Sequence, residues 1–550
     1  MAFIELNHVT FTYPNSSEPA ILDLSLKIEK GKFVVLIGPS GSGKSTLLKL
    51  LKKEIKPHGS FSGEILFQGK PQEEMNGLSS QIGYVFQDPE NQVVADDVLH
   101  EMVFGLENIG LSTNEMRNRV AEMVNFFGAE SLLDRKTHEL SGGKKQQINL
   151  ASVLLMQPDF LLLDEPTAQL DPVSAREFLD MLKRLNEEFG MTIIIAEHRL
   201  EEVFTLADRI LMMDHGQMQM EGEPKSVLTK LWDSPFKTFV PSIPSLFFSL
   251  NGKGSVPLTV KEGRSWTEQE TLFIHPNHQK NGSNPIKDEV IKVNNLFYRY
   301  DRKAEDVLKE LNFSLRKKDF YALLGGNGSG KSTFLKVLCG LFKPEQGKIF
   351  FHDKQVKSWK NNEFTKRFGY LPQNPKLFFI QDTVEMEMQD TIEKWGLTNE
   401  EEKEALIEKL GIAHLVKSHP YDLSGGELQK SAMACILLRK PEILLLDEPT
   451  KGLDPLSKEN FADILHDLRS DGVTIIMSTH DIEFAAQHAS KCGMMFQGTI
   501  TSEETPENFF KGNFFYSTMI QRLFRHIPDY SLITVEEVLK QCAPVEPLGR

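Results

Sequence analysis

Gly38-Pro39-Ser40-Gly41-Ser42-Gly43-Lys44-Ser45-Thr46 and Gly325-Gly326-Asn327-Gly328-Ser329-Gly330-Lys331-Ser332-Thr333 are the two stretches that decide the fold. Each follows an apolar, strand-like run and leads into a helix-like segment, the context in which the pattern G-x-x-x-x-G-K-[ST] binds phosphate. The glycines let consecutive backbone N–H groups point at one anion, and the lysine reaches the β- and γ-phosphates. We therefore predict two phosphate-binding loops, with ligating residues Gly38, Ser40, Gly41, Gly43, Lys44, Ser45 and Thr46 in the first and Gly325, Asn327, Gly328, Gly330, Lys331, Ser332 and Thr333 in the second.

Other segments recur together with these loops, at a nearly constant offset. The repeated pairs are residues 9–13 with 296–300, residues 140–143 with 423–426, and residues 163–167 with 446–450. A fixed offset between several similar segments is the mark of an internal repeat. The chain is therefore predicted to be a tandem duplication.

The boundary between the two copies is predicted at residues 276–287, after a C-terminal extension of the first copy. Residues 257–262 resemble residues 532–537, so each half is expected to carry its own C-terminal extension. The stretch 275–285 has two prolines and no hydrophobic periodicity, which is typical of an exposed linker. We predict one domain over residues 1–275, a linker over 276–287 and a second domain over 288–550.

Hydrophobic patterning predicts an α/β fold. The apolar runs at residues 33–37, 160–163 and 192–196 are continuous, which indicates strands covered on both faces in a largely parallel sheet. Between residues 97 and 134 the apolar positions instead recur at helical spacing, which predicts an inserted helical lobe.

Composition excludes several classes of protein. The net charge of −15 among 550 residues disfavours nucleic acid as a partner. No uncharged apolar run approaches the roughly 20 residues that a membrane helix requires. The N-terminus lacks the pattern of a secretory signal, and the four cysteines form no CxxC pair. A cytoplasmic protein without a disulfide framework or zinc ribbon is expected.

Carboxylates and histidines at predicted strand ends supply the other groups that a nucleotide site needs. An apolar strand ending in Asp-Glu can place one carboxylate on Mg²⁺ and the other beside the attacking water. We therefore predict Mg²⁺ ligands at Asp164 and Asp447, together with the loop residues Ser45 and Ser332, and catalytic bases at Glu165 and Glu448. A histidine follows the next strand in both halves, and its repetition predicts a γ-phosphate contact from His198 and His480.

These motifs resemble the ATP-binding-cassette (ABC) ATPase family over nearly the whole chain. The resemblance implies two tandem ABC-type P-loop NTPase domains, each with a mostly parallel sheet core, a small antiparallel β part, an inserted helical lobe and a C-terminal extension. ATP and Mg²⁺ are the cofactors it implies, and it pairs the two halves around ATP. It implies that Tyr13 and Tyr300 stack on adenine, and that Gln87 and Gln373 lie in loops that sense Mg²⁺ and the transport partner. It also implies signature segments that face the nucleotide of the other half, with Ser141, Gly142, Gly143, Ser424, Gly425 and Gly426. It also places Asp171 and Asp454 between the halves. Since both halves retain these residues, we predict two hydrolytic sites.

The stretches 83–92 and 104–108 of the first half resemble the ATPases of energy-coupling-factor (ECF) importers of vitamins and metal ions. The fusion of two such ATPases is similar to the ATP-binding protein of the hydroxymethylpyrimidine/thiamine system. The resemblance implies a transmembrane coupling subunit, a substrate-binding membrane subunit and a peripheral location on the cytoplasmic face of the membrane. In that group Asp88 and Glu90 would match an arginine of the coupling helix. The second half has Asn374 instead, so a different groove is expected there.

Three alternatives are considered. Soluble tandem ABC proteins that act on ribosomes have a long, charged helical connector, whereas the linker here is short and rich in Asn and Gly. DNA-repair ABC ATPases need zinc modules or heptad arms inside the cassette, which this sequence lacks. A tandem sugar importer commonly has one degenerate cassette.

Aromatic residues near residues 236–248 and 509–524 are predicted to pack the C-terminal extensions, Phe514 and Phe515 included.

Overall fold

The computed structural model describes residues 3–14, 16–74, 78–270, 289–356, 366–397, 400–527 and 532–541. The predicted linker over residues 276–287 lies outside these ranges. Proximity of Cα atoms divides the chain into two compact units, Met1–Ser245 with Lys253–Thr259 and Asp454–Leu456, and Leu246–Gly252 with Val260–Leu453 and Ser457–Arg550.

The first unit contains two sheets. A four-stranded antiparallel sheet has the order β2-β1-β4-β5, and a six-stranded sheet has the order β10-β9-β3-β8-β7-β6, in which β10 is antiparallel to β9 and the other pairs are parallel. The strands are β1 Ile4–Thr12, β2 Ile21–Ile28, β3 Phe33–Ile37, β4 Ser60–Phe67, β5 Lys70–Pro71, β6 Ile82–Val85, β7 Phe160–Asp164, β8 Thr192–Ala196, β9 Arg209–Asp214 and β10 Gln217–Gly222.

The helices before residue 270 include the predicted helical lobe. They are α1 Lys44–Leu50, α2 Leu78–Gln81, α3 Val98–Asn108, α4 Thr113–Phe127, α5 Gly142–Leu155, α6 Pro172–Phe189, α7 Leu200–Val203, α8 Pro224–Trp232, α9 Ser242–Ser249 and α10 Val260–Gln269. Helices α3 and α4 lie within residues 97–134, as the apolar spacing predicted. Ser112 and Glu115 form a capping box at the start of α4, and Gly128 ends it in the left-handed conformation.

The second unit repeats both sheets. The antiparallel sheet has the order β12-β11-β14-β15, and the six-stranded sheet has the order β16-β17-β18-β13-β19-β20, with β20 antiparallel to β19. The strands are β11 Glu289–Tyr298, β12 Leu308–Arg316, β13 Phe320–Leu324, β14 Gln346–Phe351, β15 Lys354–Gln355, β16 Phe368–Leu371, β17 Ile443–Asp447, β18 Thr474–Ser478, β19 Lys491–Phe496 and β20 Thr499–Glu504.

Nine further helices follow residue 330 in the part of the chain that the structure describes. They are α11 Lys331–Leu338, α12 Val384–Trp395, α13 Glu400–Lys409, α14 Gly425–Leu437, α15 Pro455–Ser470, α16 Ile482–His488, α17 Pro506–Gly512, α18 Met519–Phe524 and α19 Val535–Gln541. None of the helices in the described ranges combines the length and the apolar character that crossing a membrane requires.

Strand register brings the predicted catalytic residues to one edge of each parallel sheet. All residues of β3, β7 and β8 are buried, and one face of the sheet packs in a core shared with α1 and the antiparallel sheet. Asp164 at the end of β7 pairs with Ala196 at the end of β8, and Leu36 of β3 also pairs with Ala196. The phosphate-binding loop, Glu165 and His198 therefore all leave the sheet at the carboxyl ends of adjacent strands.

The packing prediction for the C-terminal aromatic residues holds only in part. Phe509, Phe510 and Phe524 are buried, whereas Phe514 and Phe515 are 67% and 64% exposed, so the prediction was wrong for these two. They lie in the segment between α17 and α18 and pack on each other edge to face, with ring centroids 5.2 Å apart. Neither residue is on a helix face that could turn it toward the core.

Candidate active sites

Each phosphate-binding loop folds around its own lysine. Lys44 Nζ donates to the carbonyl oxygens of Gly38 (2.9 Å) and Pro39 (2.8 Å). Lys331 Nζ makes the same two bonds, to Gly325 (2.9 Å) and Gly326 (3.1 Å). Burial lowers the pKa of Lys44, although nearby carboxylates oppose the shift. A phosphate oxygen would replace neutral acceptors with a charged one and form stronger bonds.

The first glycine of each loop cannot be replaced without moving the backbone. Gly38 has φ 145°, and a Cβ there would lie 2.1 Å from the carbonyl oxygen of Met213. Gly325 has φ 151°, and a Cβ there would lie 2.3 Å from the carbonyl oxygen of Met495. The loop is thus packed directly on the neighbouring parallel strand.

Asp164 and the serine of the loop place two hard oxygen atoms side by side. Ser45 Oγ donates to Asp164 Oδ1 at 2.7 Å, and the Tyr84 hydroxyl donates to Oδ2 at 3.1 Å. Burial raises the pKa of Asp164, and the adjacent charge of Glu165 adds to the shift. A bound cation at this position would offset both effects.

The second half builds the same pair with one additional bond. Ser332 Oγ donates to Asp447 Oδ1 at 2.9 Å, and the Tyr370 hydroxyl donates to Oδ2 at 3.2 Å. Ser478 Oγ also donates to Asp447 Oδ1, at 2.7 Å. Burial raises the pKa of Asp447, while the serine hydrogen bonds oppose the shift.

Glu165, the predicted base of the first half, has two partners. His198 Nε2 lies 2.8 Å from Glu165 Oε1, and Gln87 Nε2 donates to Oε2 at 2.6 Å. Glu165 has a left-handed backbone, φ 45°, which turns its side chain away from the strand it follows. Burial favours a raised pKa, but His198 and Lys44 outweigh it and hold the pKa of Glu165 below its usual value.

Glu448 repeats this arrangement in the second half. His480 Nε2 lies 2.9 Å from Oε1, Gln373 Nε2 donates to Oε2 at 3.1 Å, and Lys331 Nζ is 3.8 Å from Oε1. The backbone is again left-handed, with φ 51°. Despite burial, which acts in the opposite direction, His480 and Lys331 lower the pKa of Glu448 to about 2. Both glutamates are therefore ionised at neutral pH.

One tyrosine lies beside each phosphate-binding loop. The Tyr13 hydroxyl lies 3.1 Å from Thr46 Oγ1, and the Tyr300 hydroxyl lies 2.9 Å from Thr333 Oγ1. Tyr13 is 37% exposed and Tyr300 is 60% exposed. Each ring is thus anchored at its hydroxyl and presents aromatic surface beside the phosphate-binding loop.

The signature segments begin helices. Ser141 caps α5 by accepting from the backbone N–H of Lys144, and Gly142 and Gly143 form the first turn. Ser424 caps α14, where its hydroxyl and backbone N–H both donate to Glu427, at 2.7 and 2.9 Å. The predicted contact of these segments with nucleotide stays a prediction.

Three residues that the sequence did not predict donate hydrogen bonds to the proposed Mg²⁺ ligands Asp164 and Asp447: Tyr84, Tyr370 and Ser478. The two tyrosines stand in the repeated dipeptides Gly83-Tyr84 and Gly369-Tyr370, so the repeat contained a signal for them. Ser478 has Ala196 as its counterpart in the first half, so no repeat could reveal it.

Comparison with known proteins agrees with this geometry. The family model described as "ABC transporter" matches residues 21–168 and 308–451. The chain belongs to the ABC transporter family of ATP-binding proteins. It is an ABC ATPase with two tandem nucleotide-binding domains. A second model, described as "AAA domain, putative AbiEii toxin, Type IV TA system", matches residues 419–486 and overlaps the first.

Similar proteins cover nearly the whole ABC ATPase chain. A putative ABC transporter ATP-binding protein of Bacillus thuringiensis subsp. konkukian is 44% identical over 98% of both chains. The putative HMP/thiamine import ATP-binding protein YkoD of Bacillus subtilis is 33% identical over 92% of this chain and 93% of its own. A solved structure of cbiO1 from Clostridium perfringens, described as part of the ABC transporter complex cbiONQ, is 33% identical, with a TM-score of 0.38 over 43% of this chain and 97% of that chain.

Proposed function

We propose that this ABC ATPase is the energy-coupling subunit of an ECF-type importer, at the cytoplasmic face of the membrane, and that both of its sites hydrolyse ATP. Transport then runs through separate membrane subunits, one that couples and one that binds the substrate. The proposed cargo is a vitamin or its precursor, such as hydroxymethylpyrimidine or thiamine, or a metal ion. The 33% identity to a protein named for HMP/thiamine import supports the first class.

The observation that carries the proposal of two active sites is the repetition of the contacts around the glutamate. In both halves one carboxylate oxygen faces the histidine Nε2, at 2.8 Å in the first and 2.9 Å in the second. The other oxygen accepts from the glutamine amide, at 2.6 and 3.1 Å. A histidine and a glutamine fix the ionised carboxylate where it can accept a proton from water attacking the γ-phosphate.

The donor sets suit MgATP. The Ser45 hydroxyl is hydrogen-bonded to the Asp164 carboxylate, and the Gln87 amide is hydrogen-bonded to the neighbouring Glu165. Hydroxyl, carboxylate and amide oxygens are the ligands that Mg²⁺ prefers. Ser332, Asp447 and Gln373 offer the same set. When bound, the ion neutralises charge on the β- and γ-phosphates. Lys44 and Lys331 then bind the phosphates, and Tyr13 and Tyr300 orient the adenine.

We further propose that ATP holds the two halves together. In this scheme Ser141, Gly142 and Gly143 contact the nucleotide bound at Lys331, and Ser424, Gly425 and Gly426 contact the nucleotide bound at Lys44. Hydrolysis removes the γ-phosphate that both halves contact, so the closed state loses its advantage. Binding energy from ATP is thereby converted into movement of the membrane subunits.

The loop after β6 supports a membrane partner for the first half. Asp88 caps the turn Pro89–Asn91 by accepting from the Glu90 N–H at 3.1 Å. Asn149 of α5 donates to the Pro89 carbonyl at 3.1 Å, which fixes the turn on the signature helix. Glu90 is already paired with Lys145, so Asp88 is the better candidate for an arginine of the coupling subunit.

Exposed apolar side chains accompany this loop in both halves. Val94, Leu99 and Phe104 are exposed just after it in the first half, and Leu377 and Ile380 are exposed at the matching place in the second. Exposed apolar groups next to a charged loop are typical of a protein-binding surface. The first loop carries Asp88 and Glu90 where the second carries Asn374 and Lys376, so we propose that the two surfaces bind non-equivalent coupling helices.

Purification from membranes tests the importer proposal. The tagged chain is expected to recover two integral membrane proteins, and recovery with ribosomes instead would contradict it. Asp88→Asn keeps the cap but removes the charge, as Asn374 shows with its own cap on Lys376 at 3.1 Å. Asp88→Asn and Asp88→Lys should weaken assembly, whereas Asn374→Lys should weaken it less. Equal losses at both positions would contradict the asymmetry.

A further inference from the structure

Glu197 is a buried carboxyl group that the proposed chemistry does not use. It lies between Ala196, the last residue of β8, and the active-site His198, and it is 1% exposed. A buried carboxylate is tolerated only where hydrogen-bond donors or cations compensate for the lost water. The groups around Glu197 therefore indicate what it does.

Four backbone or hydroxyl donors converge on this carboxyl group. Oε1 accepts from the backbone N–H (3.0 Å) and the hydroxyl (2.6 Å) of Thr167. Oε2 accepts from the backbone N–H groups of His198 (3.1 Å) and Arg199 (3.5 Å). Burial raises the pKa of Glu197, while the bond from Thr167 and the charge of Arg199 oppose the shift. The two oxygens of a carboxyl group can accept from all four donors, so this side chain fits the environment.

These bonds join the two backbone segments that carry the catalytic pair. Thr167 lies two residues after Glu165, and His198 directly follows Glu197. The side chains of Glu165 and His198 meet at 2.8 Å. Arg199 adds a further link, because its guanidinium donates to the carbonyl oxygen of Leu170, in the loop after Glu165. Glu197 thus fixes the loop after the glutamate against the backbone of the histidine.

The second half has different residues and hydrogen bonds at the position of Glu197. Thr479 replaces the glutamate; its Oγ1 accepts from the backbone N–H of Asp481 at 2.9 Å and lies 3.3 Å from Thr450 Oγ1, so a neutral hydroxyl stands where the first half has a carboxyl group. Ser478, where the first half has Ala196, accepts from the Glu448 N–H at 3.0 Å and donates to Asp447 at 2.7 Å. In the second half, the Ser478 hydroxyl therefore bonds to both Asp447 and Glu448.

We propose that Glu197 is a positioning residue of the first ATP site, which holds Glu165 and His198 in register through Thr167. The second site works without an equivalent carboxylate, so the two sites depend on different residues for the same alignment. This inference rests on the proposed function in one respect, that both sites hydrolyse ATP. It does not depend on the identity of the membrane subunits or the cargo.

Site-resolved trapping in the purified full-length chain tests the proposal. The probe is 8-azido-ATP, trapped with vanadate and cross-linked by light, with the labelled peptides of each half quantified by mass spectrometry. Glu197→Thr, which introduces the residue of the second half, is expected to slow trapping in the first half about tenfold. The KM for ATP and the number of ATP molecules bound should stay within about twofold, because the phosphate loop is untouched.

Two matched variants separate positioning from general stability. Thr167→Val removes the hydroxyl donor and should cause a similar loss, and combining it with Glu197→Thr should add little, because both changes break one link. Thr450→Val is the equivalent change in the second half and should leave trapping there within about twofold, because the Thr450 hydroxyl has a neutral 3.3 Å contact with Thr479 in place of a bond to a carboxyl group. If Glu197→Thr fails to bind two ATP molecules, Thr167→Val alone decides the matter by the same readout.

Three results would overturn the proposal. The first is normal trapping in the first half of Glu197→Thr or, where that variant does not fold, of Thr167→Val. The second is a loss of trapping that only follows a proportional loss of ATP binding, which would mean a structural role. The third is absence of trapping in the first half of the unaltered chain, which would also refute the proposal of two active sites. A failed membrane pull-down with normal site-resolved results would instead refute only the importer proposal.

Discussion

Replacing Glu165 with glutamine changes one atom in the first ATP site and removes its proposed base. The carboxylate accepts from Gln87 at 2.6 Å and faces His198 Nε2 at 2.8 Å. A glutamine has a single acceptor oxygen, so its NH₂ group must face one of these two partners. It also cannot accept a proton from water. Because the pKa of Glu165 lies below its usual value, the substitution removes a full negative charge at pH 7.

The expected effect on turnover follows from the role of a positioned base. General base catalysis contributes about 10²–10⁴-fold, so Glu165→Gln should lower the hydrolysis rate of the first site at least about 100-fold. This corresponds to about 2.7 kcal/mol of lost transition-state stabilisation. ATP binding should be preserved, because Lys44 is held by loop carbonyls and not by the glutamate alone. The expected result is a chain that binds ATP and retains it unhydrolysed.

Release of phosphate and retention of radiolabelled ATP are the two measurements. Glu448→Gln should behave in the same way at the second site, because His480 and Gln373 hold that carboxylate similarly. Glu187→Gln is a suitable control, since Glu187 is an exposed residue of α6 that pairs only loosely with Lys183, at 3.8 Å. Full hydrolysis by either active-site variant would refute the assignment of that glutamate as the base.

Three further predictions concern the two sites. Tyr300→Ala and Tyr13→Ala should each raise the KM for ATP about 5- to 10-fold with little change in kcat, as measured by steady-state hydrolysis, because stacking of a base on an aromatic ring contributes about 1–3 kcal/mol. Ser478→Ala removes a bond to Asp447 of a kind worth about 1.5–3 kcal/mol, so titration with Mg²⁺ should show an approximately tenfold higher concentration at half-maximal hydrolysis. The lowered pKa of Glu448, about 2, means that its ionised form stabilises the fold above its usual pKa and that this contribution is lost as the pH falls toward 2. The stability difference between the unaltered chain and Glu448→Gln, followed by urea unfolding, should therefore shrink as the pH falls from 5 to 3, and an increase would contradict the assigned shift.

Local sequence patterns were sufficient to predict most of the fold and to predict which candidate site residues lie close together. The continuous apolar runs gave the buried strands, and the helical spacing between residues 97 and 134 gave α3 and α4. The loop lysines, the Asp-Glu pairs and the histidines come together as predicted, because each follows a strand in the same parallel sheet. Parallel strands bring their carboxyl ends to one edge whatever lies between them in sequence.

Contacts that depend on the three-dimensional path of a single side chain could not be predicted in this way. The exposure of Phe514 and Phe515 depends on where α17 ends, and aromatic composition alone does not specify it. The pairing of Glu90 with Lys145 joins a loop to a helix through residues that look like ordinary surface charges in sequence. The partners of Glu197 are mainly backbone N–H groups, which carry no sequence signature at all.

The two halves therefore share their catalytic residues but differ in the residues that align them. In the first half Glu197 links two loops, and in the second the hydroxyl of Ser478, on β18, bonds to the carboxylate of Asp447 and to the backbone N–H of Glu448. Four donors converge on Glu197, whereas the Thr479 hydroxyl at the same position accepts from the Asp481 N–H and contacts Thr450, so the two supports differ in their number of bonds. Selection on a duplicated chain can conserve groups that touch MgATP while their supports diverge. If this is correct, exchanging the supports, with Ala196→Ser and Glu197→Thr together, should restore much of the activity that Glu197→Thr alone loses. Failure of the added serine to rescue turnover would show that the two supports are not interchangeable.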